Sequence, residues 1–267
     1  MSRSGGNGMQ GNVQYQSGSP LHSRRAGSYV FVVSHMRSFS SLLCHILGSH
    51  PEISGYAEAH LSYFSRLDLQ RLARKVQELT GNPVLGKYVL DKVLHNHREI
   101  APAILERPEI KVLFLLRNAE DTISSILSLG RAGGGKGKFS EPVHVLNYYS
   151  RRLRQLGHYG RQLGGKALFL ESERLLTDTD QVLQELSRWL GLGEGLKGDY
   201  RTFPLTGAPG YGDPSPNILA GKIVRNAEER HRHCPTISIP GDLVQQAVAA
   251  HAACREGLAR HRIDVPA

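Results

Sequence analysis

The sequence Tyr29-Val-Phe-Val-Val33, followed by Ser34-His-Met-Arg-Ser-Phe-Ser-Ser41, decides the fold. The first segment is a continuous apolar run of β-branched and aromatic residues, which is typical of a strand buried on both faces of a parallel sheet. The second segment is polar, and beyond it apolar residues recur at helical spacing from Leu42 to Leu47. The sequence therefore predicts a strand, a polar loop and a helix in that order.

The same arrangement recurs further along the chain. Lys111-Val-Leu-Phe-Leu-Leu116 is a second buried run that leads into a helical stretch, and Ala167-Leu-Phe-Leu170 precedes an apolar helical stripe. Because strands alternate with helices, we predict an α/β fold: a single domain with a central parallel β-sheet flanked by helices. Further helices are predicted over 60–80, 141–163, 177–190 and 241–260.

The composition suits one globular domain preceded by a tail. The chain has 267 residues, of which 40% are hydrophobic and 21% charged, close to ordinary globular usage. Residues 1–28 are rich in Gly, Ser, Asn and Gln and hold few apolar side chains, so they cannot bury enough surface to offset the entropy of ordering. We expect a flexible tail over 1–28 and the domain over 29–267.

The charge balance favours an anionic ligand without identifying it. Lysine and arginine number 33 against 24 aspartates and glutamates, a net charge of +9. This excess fits a polyanionic ligand, a nucleic acid or an anionic membrane surface. The basic residues are spread along the chain with no long basic tail or aromatic-interleaved motif, which argues against nucleic acid.

Cysteine usage and hydropathy predict a cytoplasmic protein without an integral membrane segment. Three cysteines without paired or metal-type spacing are typical of isolated thiols in a reducing compartment. The longest apolar runs are too short to span a bilayer, and the first residues lack the apolar core of a signal peptide. His231-Arg-His-Cys234 has no partner pair at structural zinc spacing, so no metal is expected.

The loop 34–41 is the first candidate site. Backbone N–H groups at a helix N-terminus, together with hydroxyls and a cation, can hold phosphate oxygens. The alternative is an ordinary helix start capped by serine. The loop lacks the Gly-x4-Gly-Lys-Ser/Thr pattern and is therefore not a Walker loop.

Arg37-Ser-Phe-Ser-Ser41 resembles the 5′-phosphosulfate loop of sulfotransferases that use 3′-phosphoadenosine 5′-phosphosulfate (PAPS), which usually reads Lys/Arg-Ser-Gly-Thr-Thr/Ser. Two departures are plain: Phe39 stands where the family usually has glycine, which reaches positive φ without steric cost, and Ser34 stands where many members have another glycine. The resemblance implies that the donor is bound by Arg37, Ser38, Phe39, Ser40 and Ser41.

A second, independent segment begins at Arg117. Arg117-Asn-Ala-Glu-Asp-Thr-Ile-Ser-Ser125 resembles the 3′-phosphate segment of the same family, in which a strand-end arginine is followed eight residues later by a serine. The resemblance assigns these roles to Arg117 and Ser125. A guanidinium fork and a hydroxyl can converge on one dianionic phosphate. The alternative is a solvated arginine and a surface serine.

Two further segments resemble parts of the same family that carry the general base and a cation near the donor. The stretch ending at Glu58 resembles the region of tyrosylprotein-type and glycosaminoglycan-type members whose glutamate is the general base. Asp91-Lys-Val-Leu-His-Asn96 resembles the Glu/Asp-Lys-Thr-Pro segment, so Lys92, with Arg37, would offset charge on the bridging oxygen. His95 is a rival base, because the small-molecule branch of the family uses histidine.

A late segment implies a covering loop. Tyr211-Gly-Asp-Pro-Ser-Pro with Gly221-Lys222 loosely resembles the loop that closes over the nucleotide, and Lys222 would reach the 3′-phosphate. The alternative is a plain surface loop.

Taken from about residue 29 to about 192, the resemblance implies a P-loop nucleotide-kinase-like fold. It also implies sulfuryl transfer from PAPS to a hydroxyl or amine, with adenosine 3′,5′-bisphosphate (PAP) as product and no metal. The acceptor, whether small molecule, lipid, glycan or carrier-bound metabolite, is not encoded in these motifs, and neither is the oligomeric state. Two other functions stay open: a catalytically silent PAP-binding module and a P-loop small-metabolite kinase.

Overall fold

The computed structural model describes residues 27–132, 137–225 and 239–260. Its strands are β1 (Ser28–Ser34), β2 (Ile53–Ser54), β3 (Tyr88–Val93), β4 (Ile110–Leu116) and β5 (Leu168–Glu171). Its α-helices are α1 (Ser40–Gly48), α2 (Arg66–Thr80), α3 (Pro102–Leu105), α4 (Ala119–Ala132), α5 (Pro142–Leu163), α6 (Arg174–Thr177), α7 (Thr179–Leu190) and α8 (Gly241–Arg260). Short 3-10 turns cover Lys138–Ser140 and Pro216–Ala220.

The strands form one sheet in the order β2-β3-β1-β4-β5, and every neighbouring pair is parallel. In this register Val33 of β1 lies opposite Val93 of β3, and Ser34 lies opposite Leu115 of β4. The loops after β1, β3 and β4 therefore leave from one edge of the sheet, where open α/β sheets bind ligands. The predicted α/β fold with a central parallel sheet is confirmed.

Alternate residues of the central strand supply two separate cores. Val30 and Val32 pack with α1 and α7 on one face, whereas Phe31 and Val33 pack with α2, α4, α5 and α8 on the other. This is the period of two that a β-strand imposes on its side chains. Because both faces are covered, the strand is apolar throughout, which is the pattern that predicted it from the sequence.

Two predicted helix starts differ from the structure, and one strand was not predicted. The helix expected over 60–80 begins only at Arg66, because His60 has a left-handed backbone and the backbone N–H of Ser65 is bonded to the Asp68 carboxylate at a helix start. The helix expected from residue 177 begins at Thr179, after the separate short α6. Strand β3 was not predicted, because its charged pair Asp91-Lys92 interrupts the apolar run.

Some predictions concern residues outside the described part of the chain. Residues 1–26 of the predicted tail and the segment His231–Cys234 are not among the described residues. Within the described ranges, no helix is long and apolar enough to cross a membrane.

Candidate active site

The polar loop after β1 is held by hydrogen bonds to its neighbours. The Ser34 hydroxyl donates to the Leu115 carbonyl oxygen at 2.5 Å and lies 2.6 Å from the Ser38 hydroxyl. The backbone N–H of Arg117 donates to His35 Nε2 at 3.2 Å, which ties this loop to the end of β4. Ser38, Ser40 and Ser41 are buried. The conformation of the loop is therefore fixed by hydrogen bonds and by burial.

Phe39 adopts a left-handed backbone conformation, which glycine reaches without steric cost. Its φ is 60°, in the left-handed region, and it stands immediately before the first residue of α1. Its ring lies under the guanidinium of Arg117, with 4.4 Å between Arg117 Cζ and the ring centroid, a cation–π contact. A positive φ at a residue that is not glycine costs backbone strain, and the Phe39 ring adds a contact to a predicted donor-binding arginine.

The predicted donor-binding residues of the two motifs meet at one place. Arg37 Nε donates to Ser125 Oγ at 2.8 Å, and Arg117 Nη1 donates to the carbonyl oxygen of Arg37 at 3.1 Å. Arg117 is 6% exposed, its Nε has no hydrogen-bond partner, and burial lowers its pKa despite the nearby Asp121 carboxylate. Two guanidiniums and a hydroxyl therefore lie together, a combination of groups suited to binding a phosphate dianion.

A carboxylate from the late loop binds this cluster. Asp213 Oδ1 lies 2.6 Å from Arg37 Nη1, and the backbone N–H and hydroxyl of Ser215 donate to Asp213. Burial works to raise the pKa of Asp213, but Arg37 and the Ser215 hydrogen bonds outweigh it and the pKa is lowered. Asp213 is thus an anion paired with Arg37, a predicted donor-binding cation. No role was predicted for Asp213 from the sequence.

The same loop covers a second cation. A side chain at Gly212 would place its Cβ 3.0 Å from both Lys92 Nζ and Ser41 Oγ, so the backbone of this loop lies close against both groups. Lys92 is 1% exposed, and its Nζ donates to Ser41 Oγ at 3.0 Å. The buried Lys92 ammonium therefore lies against the predicted phosphosulfate loop.

Glu58 is a buried carboxylate with one free oxygen. Its side chain is 5% exposed, and its Oε1 makes no hydrogen bond but lies 3.6 Å from His95 Nε2 and 3.7 Å from His60 Nδ1. Burial raises the pKa of Glu58 to about 7, against the opposing charges of Lys92 and Arg152. A carboxylate with this pKa is half ionised near neutral pH, as a general base requires.

The two predicted base candidates lie together, but their environments differ. Burial lowers the pKa of His95 to about 4, and the neighbouring His97 and His60 lower it further. His95 is therefore neutral at pH 7. His60 was not identified from the sequence; its Nε2 lies 2.6 Å from the Gly210 carbonyl oxygen, so this nitrogen carries the proton and donates it.

Asp91 fixes the backbone around Glu58. Its carboxylate accepts the backbone N–H of Ala59 at 2.8 Å and the hydroxyl of Tyr63 at 2.5 Å, and it is fully buried. Burial raises the pKa of Asp91 to about 7. Asp91 therefore anchors the residue next to Glu58.

Lys222 is not joined to this site. It is exposed and forms a β-bridge with Asp199, and no hydrogen bond or ion pair among the described residues links its side chain to Arg37 or Arg117. The other predicted site residues all lie at the carboxyl edge of the sheet.

Backbone strain is concentrated here. Among the described residues, the non-glycine positions with positive φ are Arg37, Phe39 and His60, with φ of 64°, 60° and 56°. All three belong to the site just described. Strain of this kind persists where the surrounding structure imposes it.

The site contains no metal cluster within the described ranges. No group of three or more His, Cys, Asp or Glu side chains there could hold a metal ion. Its groups are suited to binding anions and moving protons.

Comparisons with known proteins identify the fold. No protein-family model matches the chain, and no curated protein matches it in sequence. Two solved structures are similar along nearly their whole length. The sulfotransferase domain from the Synechococcus PCC 7002 olefin synthase has a TM-score of 0.56 and 17% identity, covering 94% of this chain and 100% of that domain. The sulfotransferase domain from the curacin biosynthetic pathway has a TM-score of 0.53 and 17% identity, covering 91% of this chain and 100% of that domain.

The chain therefore has the fold of sulfotransferase domains, as the motif resemblance implied.

Proposed function

We propose that this chain is an enzyme that transfers a sulfuryl group from PAPS to a hydroxyl or amine of its acceptor. The observation that carries the proposal is the convergence of Arg37, Arg117 and Ser125 on one site at the carboxyl edge of a sulfotransferase-type sheet. These residues come from two separate motifs, 88 positions apart between Arg37 and Ser125. The buried carboxylate of Glu58 is the candidate general base that would take the proton from the acceptor.

The donor-binding cluster fits a nucleotide carrying a separate 3′-phosphate. Arg117 presents an unpartnered buried Nε, and Arg37 already binds the carboxylate of Asp213 as it would bind a phosphate oxygen. Charge-assisted hydrogen bonds of this kind are the stronger ones in proteins. We assign Arg37, Arg117 and Ser125 to the 3′-phosphate of PAPS and PAP, and the buried hydroxyls of 38–41 to its 5′ side.

The two predicted cations have different surroundings. The Arg37 guanidinium is bonded to Ser125 and Asp213, whereas the Lys92 ammonium contacts Ser41 of the phosphosulfate loop and acts electrostatically on Glu58. We therefore assign the bridging oxygen to Lys92. A cation placed before reaction at the point where negative charge grows contributes about 10²–10³ in rate.

In the proposed reaction, the acceptor oxygen or nitrogen loses its proton to Glu58 Oε1 and attacks sulfur. The bond from sulfur to the bridging oxygen of the donor breaks in line, and PAP leaves with its new negative charge beside Lys92. His95 lies 3.6 Å from Glu58 Oε1, but its pKa of about 4 is well below the pKa of about 7 of Glu58, so Glu58 is the stronger base of the two and keeps the proton. General base catalysis is worth about 10²–10⁴ in rate.

The donor half is tested by calorimetric titration with PAP, 5′-AMP and magnesium ATP. We expect PAP to bind more tightly than 5′-AMP, because only PAP has the 3′-phosphate. Arg117→Ala should weaken PAP binding about 10- to 100-fold, from the loss of charge-assisted hydrogen bonds, and leave 5′-AMP nearly unaffected. Arg71→Ala, at an exposed arginine on α2, is the matched control.

The transfer half is tested by incubating the protein with ³⁵S-labelled PAPS and candidate hydroxyl and amine acceptors. Label on an acceptor supports the enzyme, whereas PAP binding without transfer to any acceptor or extract favours a silent binding module. Preference for magnesium ATP over PAP would overturn the proposal in favour of a kinase.

A further inference from the structure

Arg152 on α5 is a buried cation beneath the candidate site. Its side chain is 0% exposed. Nε donates to the Ser34 carbonyl oxygen at 2.6 Å, Nη2 donates to the Val93 carbonyl oxygen, and Nη1 donates to Gln155 Oε1 at 2.7 Å and more weakly to the His95 carbonyl oxygen at 3.4 Å. Three of its four acceptors are therefore backbone oxygens at the carboxyl edge of the sheet.

These three oxygens belong to the backbone that carries the predicted reacting groups. Ser34 is the last residue of β1 and the first of the phosphosulfate loop. Val93 is the last residue of β3 and directly follows Lys92, and His95 is two residues further on. One guanidinium thus joins the origin of the donor loop to the segment bearing Lys92 and His95.

The charge of Arg152 has no direct carboxylate partner. Within the part of the chain that the structure describes, all its hydrogen bonds go to uncharged acceptors. Burying a cation without a bonded anion costs stability, and replacement of buried charges by apolar side chains of similar volume is often tolerated. Packing alone therefore does not require an arginine at this position. A fixed positive charge behind an anion-binding site, in contrast, requires a cationic side chain.

We infer that Arg152 is a positioning residue for the proposed sulfuryl transfer, holding the ends of β1 and β3 together so that the donor loop, Lys92 and His95 keep their relative placement. This inference rests on the proposed function. Arg152 acts from behind the site through backbone carbonyls.

Its charge also acts on Glu58. The charged and titratable groups around the Glu58 carboxylate come from several elements. They are Lys92 from β3, Arg152 from α5, Arg98 from the segment after β3, and the neighbouring His60, His95 and Asp91. Burial raises the pKa of Glu58, and Lys92 and Arg152 oppose that rise. Removing the Arg152 charge should therefore raise the pKa further, so the carboxylate would ionise only at higher pH.

The test compares Arg152→Met, which removes the charge, with Arg152→Lys, which keeps the charge but not the fork. Arg154→Met is the matched control, because Arg154 is an exposed arginine on the same helix. The Glu58 carboxyl is titrated by NMR in protein with ¹³C-labelled glutamate, with the signal assigned by Glu58→Gln. Turnover and donor KM are measured against pH in the same variants.

In Arg152→Met we expect the Glu58 midpoint to move up by about one pH unit. The acid limb of kcat should move with it, turnover at pH 7 should fall about fivefold because less of Glu58 is ionised, and donor KM should rise. Arg152→Lys should keep the midpoint close to that of the unmodified protein but raise donor KM, because an ammonium cannot bind the same set of carbonyls. Arg154→Met should change none of these values.

A folded Arg152→Met with an unmoved Glu58 midpoint and unchanged donor KM would overturn the inference. If Arg152→Met does not fold, the inference is tested with Arg152→Lys alone. An unchanged donor KM in Arg152→Lys would also overturn the inference. The NMR midpoint needs no catalysis, so failure of the proposed transfer, seen as absence of labelled product in the unmodified protein, is distinguishable from failure of the role of Arg152.

Discussion

Replacing Glu58 by glutamine should make the protein more stable and less active at the same time. The pKa of Glu58 is raised by burial from its ordinary 4.5 to about 7 in the folded protein. The difference, 7 − 4.5, is about 2.5 pH units, and at 1.36 kcal/mol per unit it corresponds to about 3 kcal/mol. The side chain is 5% exposed, so solvent screening reduces this value little.

The sign follows from which form the fold prefers. A raised carboxyl pKa means that the folded state favours the protonated acid, so the stability of the protein falls as the pH rises from 4.5 through 7. Glutamine resembles the neutral acid at every pH. Glu58→Gln should therefore be more stable than the unmodified protein by up to about 3 kcal/mol at pH 8, and about equal to it at pH 4.

The assay is denaturant unfolding at pH 4, 6 and 8, combined with turnover of labelled PAPS. Loss of the general base should lower turnover about 10²- to 10⁴-fold while PAP binding stays nearly the same. Glu99→Gln, at an exposed carboxylate in the loop after β3, is the control and should change neither property. A stability difference that does not vary with pH, or turnover equal to that of the unmodified protein, would refute the reasoning.

Two further predictions concern the donor site. Asp213→Asn removes the carboxylate that competes for Arg37, so PAP should bind about tenfold more tightly by calorimetry; weaker binding would show that Asp213 instead holds Arg37 ready for the donor. Phe39→Gly should be about 1 kcal/mol more stable in denaturant unfolding than Phe39→Ala, because both lose the contact with Arg117 but only glycine adopts φ of 60° without strain. Equal stability of the two variants would show that the backbone there is unstrained.

The strands that position the site could be predicted where their sequence is uniformly apolar. β1 and β4 are buried on both faces, and their runs of Val, Phe and Leu indicate this directly. β3 is equally buried, yet it carries Asp91 and Lys92, whose burial depends on partners such as Tyr63 and Ser41 that only the folded chain provides. No pattern within six residues could reveal those partners.

The site residues could be predicted where they belong to local sequence motifs, and not where their role depends on contacts between distant parts of the chain. Arg37, Arg117 and Ser125 belong to local motifs, and the parallel order of the strands brings those motifs to one edge. Asp213 lies 176 residues from Arg37, and its pairing depends on the path of a long loop. His60 could have been considered because it is two residues from Glu58, but its placement depends on a left-handed backbone, which is uncommon for residues other than glycine. Arg152 resembles any other arginine of a basic helix until its burial is known.

The concentration of left-handed, non-glycine backbone at Arg37, Phe39 and His60 has a consequence for engineering heat tolerance. Glycine at these positions would ease the backbone, so a screen that selects only for resistance to unfolding would be drawn to them. The same screen would also select Glu58→Gln. Directed evolution of this chain for thermostability should therefore hold these four positions constant and introduce its changes elsewhere.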